Sequence, residues 1–142
     1  MRVLVDTSIW SLALRRTETD LSRKEARAVD LLKELIRDGC AVVIGPIRQE
    51  ILSGIPDEAQ FRKLKAKLRA FEDLGITSDD YELAAEFYNP CRKTGVQGSH
   101  IDFLICAVAV RNQLPVFTLD ADFERYAQPL GISRFTADRI VP

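Results

Sequence analysis

The stretch MRVLVDTSIW, residues 1–10, opens the chain with a short apolar run that ends on an acidic residue. Val3, Leu4 and Val5 are typical of a buried β-strand. A buried strand has no need of a carboxylate at its end, so Asp6 has two interpretations. It either caps the helix that follows or takes part in chemistry.

The length and composition are those of one globular domain. The chain has 142 residues, of which 46% are hydrophobic and 29% charged, and we expect a single domain spanning residues 1–142. The net charge of −1 excludes a global basic field, so nucleic-acid binding would depend on local patches. No apolar run reaches membrane-spanning length, and no signal-peptide pattern is present, so we expect a cytoplasmic protein without membrane contact.

The cysteines and the single histidine argue against a disulfide scaffold and against a zinc site. Cys40, Cys91 and Cys106 are odd in number and lack metal-ligand spacing. Cys40 and Cys106 lie in apolar runs and are predicted to be buried thiols. His100 is interpreted as a solvated loop residue.

Strand and helix signals alternate along the chain. Apolar runs of strand length occur at 2–5, 41–44 and 115–118, with weaker candidates at 74–77 and 132–135. The pattern predicts an α/β domain around a largely parallel sheet of about four to five strands.

Helices are predicted from capping signals, proline positions and the spacing of apolar residues. Ser22 and Glu25 have the spacing of a capping box, and Pro46 suits a helix start. The segment 57–72 is amphipathic and basic, which is typical of a solvated outer face. The segment 80–89 is expected to break near Pro90, which lacks a backbone N–H. The helix that follows, HIDFLICAVAVRN, is apolar on nearly every side and should be central to the core.

Four acidic residues lie beside the ends of these elements. They are Asp6, Glu50, Asp102 and Asp120. Each alone is explained at least as well as a cap, a turn residue or a solvated helix residue. Together they favour a shared site, because crevices form beyond the carboxyl ends of parallel strands.

Carboxylates that converge need a cation or a proton to offset their repulsion. Mg²⁺ or Mn²⁺ would suit an all-oxygen site and could activate water for attack on a phosphodiester. No glycine-rich phosphate loop follows a strand. Haloacid-dehalogenase-like phosphatases carry a DxD pattern after their first strand, whereas Ser8 stands two residues after Asp6 here. These observations favour a nuclease.

Four segments of the chain resemble a known family. VLVDTSIW, PIRQEIL, IDFLICAVAV and FTLDADFERYA are similar, in order and spacing, to PIN-domain ribonucleases of the VapC toxin type. The resemblance covers essentially the whole chain and implies one PIN domain, 1–142, folded as an α/β/α sandwich around a mostly parallel sheet. It further implies an Mg²⁺- or Mn²⁺-dependent endoribonuclease that acts on RNA, is inhibited by a VapB-type antitoxin and forms a homodimer.

The resemblance also implies roles for individual residues. The catalytic acids would be Asp6, Glu50, Asp102 and Asp120, and Asp6 and Asp102 would chiefly hold the metal. Asp122 is a second candidate for the fourth acid. Thr7 and Ser8 would hydrogen-bond the first acid or a metal-bound water.

Two features depart from the family pattern, namely Pro90 and the loop GVQGSH, which is expected to be flexible. They leave the shape of the RNA entrance open. The basic residues Arg15, Arg16, Arg92 and Lys93 would contact phosphates or belong to an ordinary solvated surface. Two alternative functions also stay open: an idle PIN-like module that binds RNA or protein, and a structure-specific DNA nuclease of the same chemistry.

Overall fold

A five-stranded sheet organises the protein, whose computed structural model describes residues 1–16, 18–136 and 139–141. The strand order is β2-β1-β3-β4-β5. The first four are parallel to one another: β1 (Val3–Val5), β2 (Ala41–Val42), β3 (Val116–Phe117) and β4 (Arg134–Thr136). β5 (Arg139–Val141) pairs with β4 in the antiparallel direction. The predicted α/β class with a mostly parallel sheet is confirmed.

Eight α-helices connect and cover the strands in the described part of the chain. They are α1 (Thr7–Arg15), α2 (Arg23–Arg37), α3 (Gly45–Leu52), α4 (Glu58–Leu68), α5 (Ser78–Glu86), α6 (Tyr88–Lys93), α7 (His100–Arg111) and α8 (Asp122–Leu130). The predicted capping box begins α2, since Ser22 and Glu25 each accept a hydrogen bond from the other's backbone N–H. None of these helices combines the length and apolar surface that a membrane crossing requires.

The core is centred on β1 and α7. All three residues of β1 are fully buried, and the run 103–109 of α7 is buried as well. Trp10 closes the core beside β1: its ring meets Phe71 edge-on at 5.1 Å and its indole N–H donates to the carbonyl of Val5. Burial of this apolar surface is the main source of stability.

The cysteines are thiols, as predicted, although their burial differs from the prediction at one position. Cys91 and Cys106 are buried, whereas Cys40 is only half-buried. Cys40 lies just before the short β2, where the chain is still turning after α2.

Four local expectations differ from the structure. The segment 74–77 forms no strand, and one parallel bridge joins Val43 to Asp73 instead. The helix predicted over 57–72 ends at Leu68. Pro90 does not end a helix: the break falls at Phe87, and Pro90 lies in the first turn of α6, where backbone N–H groups have no helical acceptor. β5 was not predicted.

The sheet order creates a switch point between β1 and β3. Leu4 pairs with Val116 and Val5 with Phe117, while β2 and β4 extend the sheet in opposite directions. A crevice forms at such a point beyond the carboxyl ends of the strands. Asp6 and Thr118, the residues that follow β1 and β3, therefore lie side by side at this crevice.

Candidate active site

Asp6 is the N-cap of α1 and is almost completely buried. Its Oδ2 atom accepts hydrogen bonds from the Ser8 backbone N–H at 3.4 Å, the Ser8 hydroxyl at 2.9 Å and the Thr118 hydroxyl at 2.8 Å. Asp6 therefore caps the helix, but this role occupies only one of its two carboxylate oxygens. Because all three bonds go to Oδ2, the Oδ1 atom receives none from the described residues.

Ser8 and Thr118 connect the first acid to the loop after β3. The Ser8 hydroxyl accepts from the backbone N–H of Leu119 at 3.0 Å, and the Thr118 hydroxyl accepts from that of Asp120 at 2.9 Å. The predicted hydrogen bond from Ser8 to the first acid is present, whereas Thr118 was not predicted. Its position directly after β3, opposite Asp6, is the sequence signal that could have identified it.

Asp102 lies in the first turn of α7, and Ser99 is the N-cap of that helix. The Ser99 hydroxyl accepts from the Asp102 backbone N–H at 3.0 Å. The Tyr126 hydroxyl donates to Asp102 Oδ2 at 2.7 Å. Tyr126 was not predicted either, and its only sequence signal is its place on the helix that follows the fourth acid.

The carboxylates of Asp102, Asp120 and Asp122 form the tightest acidic group. Each contributes one oxygen to a set in which all atoms lie within 4.8 Å of one another, and Asp6 and Glu50 are not members of this set among the described residues. Asp120 Oδ1 also accepts from the Asp122 backbone N–H at 2.9 Å. Asp122 is paired with Arg125.

Glu50 and Asp6 lie close enough to this group for electrostatic repulsion between the carboxylates to shift pKa values. Partial burial raises the pKa of Glu50 above its usual value, and the charges of Asp6, Asp102 and Asp120 raise it further. The pKa of Asp102 is also raised, first by burial and then by the charges of Asp120 and Asp6, against the hydrogen bond from Tyr126. The structure therefore brings all four predicted acids, and Asp122, into one electrostatic neighbourhood.

The donor set fits a hard divalent cation. The grouped ligand atoms are all carboxylate oxygens, the type that Mg²⁺ and Mn²⁺ prefer. The Thr7 hydroxyl, next to Asp6 in the chain, is buried without a hydrogen-bond partner in the described part of the protein. This hydroxyl partly offsets the rise in the pKa of Glu50, although no hydrogen bond of regular geometry joins Thr7 to Glu50. An unpaired hydroxyl and an excess of negative charge are what a cation or its water would satisfy.

The basic residues considered as phosphate contacts have different surroundings. Arg16 forms an ion pair with Glu25 at 3.0 Å, so its guanidinium is already engaged. Arg15 lines a cavity of ≈ 310 Å³ together with lysines of α4. Arg92 lines a cavity of ≈ 500 Å³ with Tyr88, and Lys93 is exposed. His100 is exposed as well, but it begins α7 instead of lying in a loop.

Comparisons with solved structures show a shared fold. FitAcB from Neisseria gonorrhoeae aligns with a TM-score of 0.74 and 19% identity, over 95% of this chain and 97% of that chain. VapBC2 from Rickettsia felis, bound to a DNA fragment from their promoter, aligns with a TM-score of 0.67 and 15% identity, over 88% and 92%. VapBC-5 from Mycobacterium tuberculosis, a member of the VapBC family of toxin-antitoxin systems, aligns with a TM-score of 0.61 and 20% identity, over 87% and 88%.

Sequence comparison identifies the family. None of the curated proteins matches the chain significantly. Residues 3–129 match the family described as PIN domain, and this range includes every acidic residue of the site. The match extends over most of the 142 residues, and the chain therefore belongs to the PIN domain family.

Proposed function

We propose that the protein is the toxin of a type II toxin–antitoxin pair, a metal-dependent endoribonuclease that hydrolyses RNA phosphodiester bonds. The observation that carries this proposal is the meeting of acidic side chains at the carboxyl edge of the parallel sheet, where burial and the neighbouring charges raise the pKa of Glu50 and of Asp102. Membership in the PIN domain family supports it, because nuclease activity is general in that family.

In this proposal Asp6 and Asp102 hold Mg²⁺ or Mn²⁺, and Glu50 and Asp120 complete the pocket. Both proposed ligands have Oδ2 engaged by hydroxyl donors, which limits rotation of each carboxylate. Asp122 is an additional acid of the pocket, held by Arg125. A bound ion would supply an activated water and neutralise charge on the phosphodiester.

The carboxylates of the pocket would hold the ion in place. Their combined charge repels a phosphodiester unless a cation is present, so we expect cleavage to require the metal. The reaction would leave a 5′-phosphate and a 3′-hydroxyl, which end-labelling of the products would distinguish.

We further propose a VapB-type antitoxin partner, a homodimer of one PIN domain spanning residues 1–142, and a cytoplasmic location. The similar structures from Rickettsia felis and Mycobacterium tuberculosis are VapBC proteins, which supports the choice of partner. Light scattering on the purified chain should give twice the 16.0 kDa of one copy. A mass of one copy would contradict the homodimer.

The experiment that tests the activity compares Asp6→Asn with the wild type on total RNA. Asparagine is as good an N-cap as aspartate, so the variant should fold normally. Loss of the charge should reduce cleavage by at least about a hundredfold, since even the partners of metal ligands contribute 10–100-fold. Cleavage should also stop in excess EDTA.

Asp30→Asn is the matched control for this substitution. Asp30 is an exposed residue of α2 outside the acidic pocket, so this variant should cleave RNA at the wild-type rate. Undiminished cleavage by Asp6→Asn, or in EDTA, would contradict the proposal. Offering one hairpin as RNA and as DNA tests the substrate, and cleavage of the DNA form alone would replace the ribonuclease with a DNA nuclease.

A further inference from the structure

Tyr126 has no assigned role, yet its hydroxyl is bound directly to the acidic pocket. It lies on α8 and is completely buried, and it donates to Asp102 Oδ2 at 2.7 Å. A phenol carries its proton near neutral pH and a carboxylate only accepts, so Tyr126 is the donor in this bond.

Aromatic packing fixes the position of this hydroxyl. The Tyr126 ring meets Phe103 edge-on at 5.9 Å and Phe123 edge-on at 5.2 Å. Phe103 follows Asp102 in α7, and Phe123 follows Asp122 in α8. The ring therefore packs where α7, which carries Asp102, meets α8, which carries Asp122. Its hydroxyl points at Asp102.

Gly98 leaves the space that this arrangement needs. A Cβ atom at position 98 would lie 2.9 Å from the Tyr126 hydroxyl oxygen and 2.7 Å from the Phe103 ring. Both distances are shorter than side-chain contacts allow. The backbone of Gly98 is not in the left-handed region, so space is the reason for glycine here. Part of the GVQGSH loop is thus packed against the pocket.

We propose that Tyr126 is a positioning residue that fixes the Asp102 carboxylate for a divalent cation, and that Gly98 makes room for it. The proposal rests on the proposed metal pocket, but not on RNA as the substrate. The final torsion of an aspartate side chain is broad, and Asp102 has two like charges within 4.8 Å. Without the phenol, repulsion from Asp120 and Asp122 would turn the carboxylate away from the ion.

The test is a Mn²⁺ titration of Tyr126→Phe followed by thermal unfolding. Phenylalanine keeps both ring contacts and removes only the hydroxyl, so the fold should persist. We expect the Mn²⁺ concentration at half-maximal stabilisation to rise by about 10- to 100-fold, the usual cost of losing a partner of a metal ligand. RNA cleavage should fall correspondingly and recover at high Mn²⁺.

Tyr81→Phe is the matched control, because Tyr81 is an exposed tyrosine of α5. It should leave the half-maximal Mn²⁺ concentration unchanged. If Tyr126 were merely structural, Tyr126→Phe would unfold at a lower temperature without metal, but its Mn²⁺ dependence would match that of the wild type. That result would overturn the proposal.

Gly98→Ala provides an independent approach to the same hydroxyl. It should weaken Mn²⁺ binding in the wild-type background, and by a smaller factor in the Tyr126→Phe background, where the hydroxyl is absent. Gly75→Ala is its control, since a Cβ at position 75 meets no atom within 4 Å. Equal factors in both backgrounds would show that Gly98 acts separately from the phenol.

The Mn²⁺ titration separates this inference from the proposed ribonuclease. A protein that binds Mn²⁺ with the expected dependence on Tyr126 but cleaves no RNA would contradict the ribonuclease and retain the positioning role. A wild type that Mn²⁺ does not stabilise would overturn the metal pocket and the positioning role together.

Discussion

At the scale of single residues, the two acids proposed to hold the metal, Asp6 and Asp102, each have one oxygen bound by hydroxyl groups. Thr118 is the clearest example, because it donates to Asp6 and accepts from the backbone of Asp120. One hydroxyl thereby links the residue that follows β1 to the loop that follows β3. This makes Thr118 a sensitive position for both stability and activity.

Thr118→Val should lower the free energy of unfolding by about 1–2 kcal/mol, because the Asp120 backbone N–H loses its acceptor and Asp6 loses one of its three donors. Valine has nearly the same shape, so packing is conserved. RNA cleavage should fall by about tenfold or more, since Asp6 loses a donor that orients it. Urea denaturation and cleavage assays would measure the two effects.

Thr94→Val is the matched control for Thr118→Val. The Thr94 hydroxyl donates only to backbone carbonyls of α6 and lies outside the acidic pocket. The control should lose some stability and keep full activity. Equal activity of the two variants would contradict a role for Thr118 in the pocket.

The residue scale is also where sequence reasoning was least complete. Asp6 was predictable because an acid at the end of an apolar strand is unusual. Thr118 and Tyr126 were not, because hydroxyl residues are common after strands and in helices. Their roles depend on two hydrogen bonds between residues that are distant in sequence. Thr118 lies 112 positions from Asp6, and Tyr126 lies 24 positions from Asp102. Such pairings exist only in the folded chain.

At the scale of elements, α2 shows how a local signal stabilises a helix that lines the site. Its capping box satisfies the backbone N–H groups of Ser22 and Glu25. Lys24 and Arg27 of the same helix line a cavity of ≈ 300 Å³ that reaches Asp120. Loss of the Ser22 cap should therefore lower the stability of the fold. It should change the cavity only indirectly, if the first turn of α2 frays.

Ser22→Ala should reduce the free energy of unfolding by about 1 kcal/mol, the typical value for loss of an N-cap side chain. Urea denaturation would measure it. Ser78→Ala is a suitable control, because Ser78 begins α5 and its hydroxyl forms no hydrogen bond in the described part of the chain. Equal stability of the two variants would show that the capping box contributes nothing.

Most elements were predictable because their signals are local. Apolar runs located β1 and a capping box located α2, and both depend on residues close in sequence. β5 depends on a neighbour instead: it exists by pairing with β4, and a run of three residues is too short to indicate a strand by itself. The helix break lies at Phe87 and not, as the sequence had predicted, near Pro90. A proline in the first turn of a helix costs no helical hydrogen bond, so Pro90 is accommodated in α6.

At the scale of the whole molecule, the pocket ties stability to pH and to metal. Without a cation, the folded state raises the pKa of Asp102 above 3.8 and that of Glu50 above 4.5. These groups bind a proton more tightly when folded, so their contribution to stability is greatest at low pH. It is lost as the pH rises from the ordinary values through the raised values.

Mn²⁺ should reverse this loss near neutral pH. At a hundred times its dissociation constant, a ligand of the folded state adds about 2.7 kcal/mol. At about pH 4 protons compete with the cation for the carboxylates, so the stabilisation should be much smaller there. Thermal unfolding with and without Mn²⁺ across this pH range would measure the difference.

Asp102→Asn is the informative variant in this experiment. It removes one of the repelling charges, so it should unfold at a higher temperature than the wild type near pH 7 without metal, and should gain little from Mn²⁺. A wild type that Mn²⁺ stabilises equally at both pH values would contradict the linkage.

The parallel pairing of β1 with β3 has a consequence for protein synthesis. Leu4 leaves the ribosome before its partner Val116, and Asp120 and Tyr126 follow later still. An unfinished chain has Asp6 but neither the neighbouring strand nor the later acids. In the proposed toxin, the nuclease site is therefore incomplete until residue 126 has left the ribosome, and this delay leaves time for an inhibitor to be present.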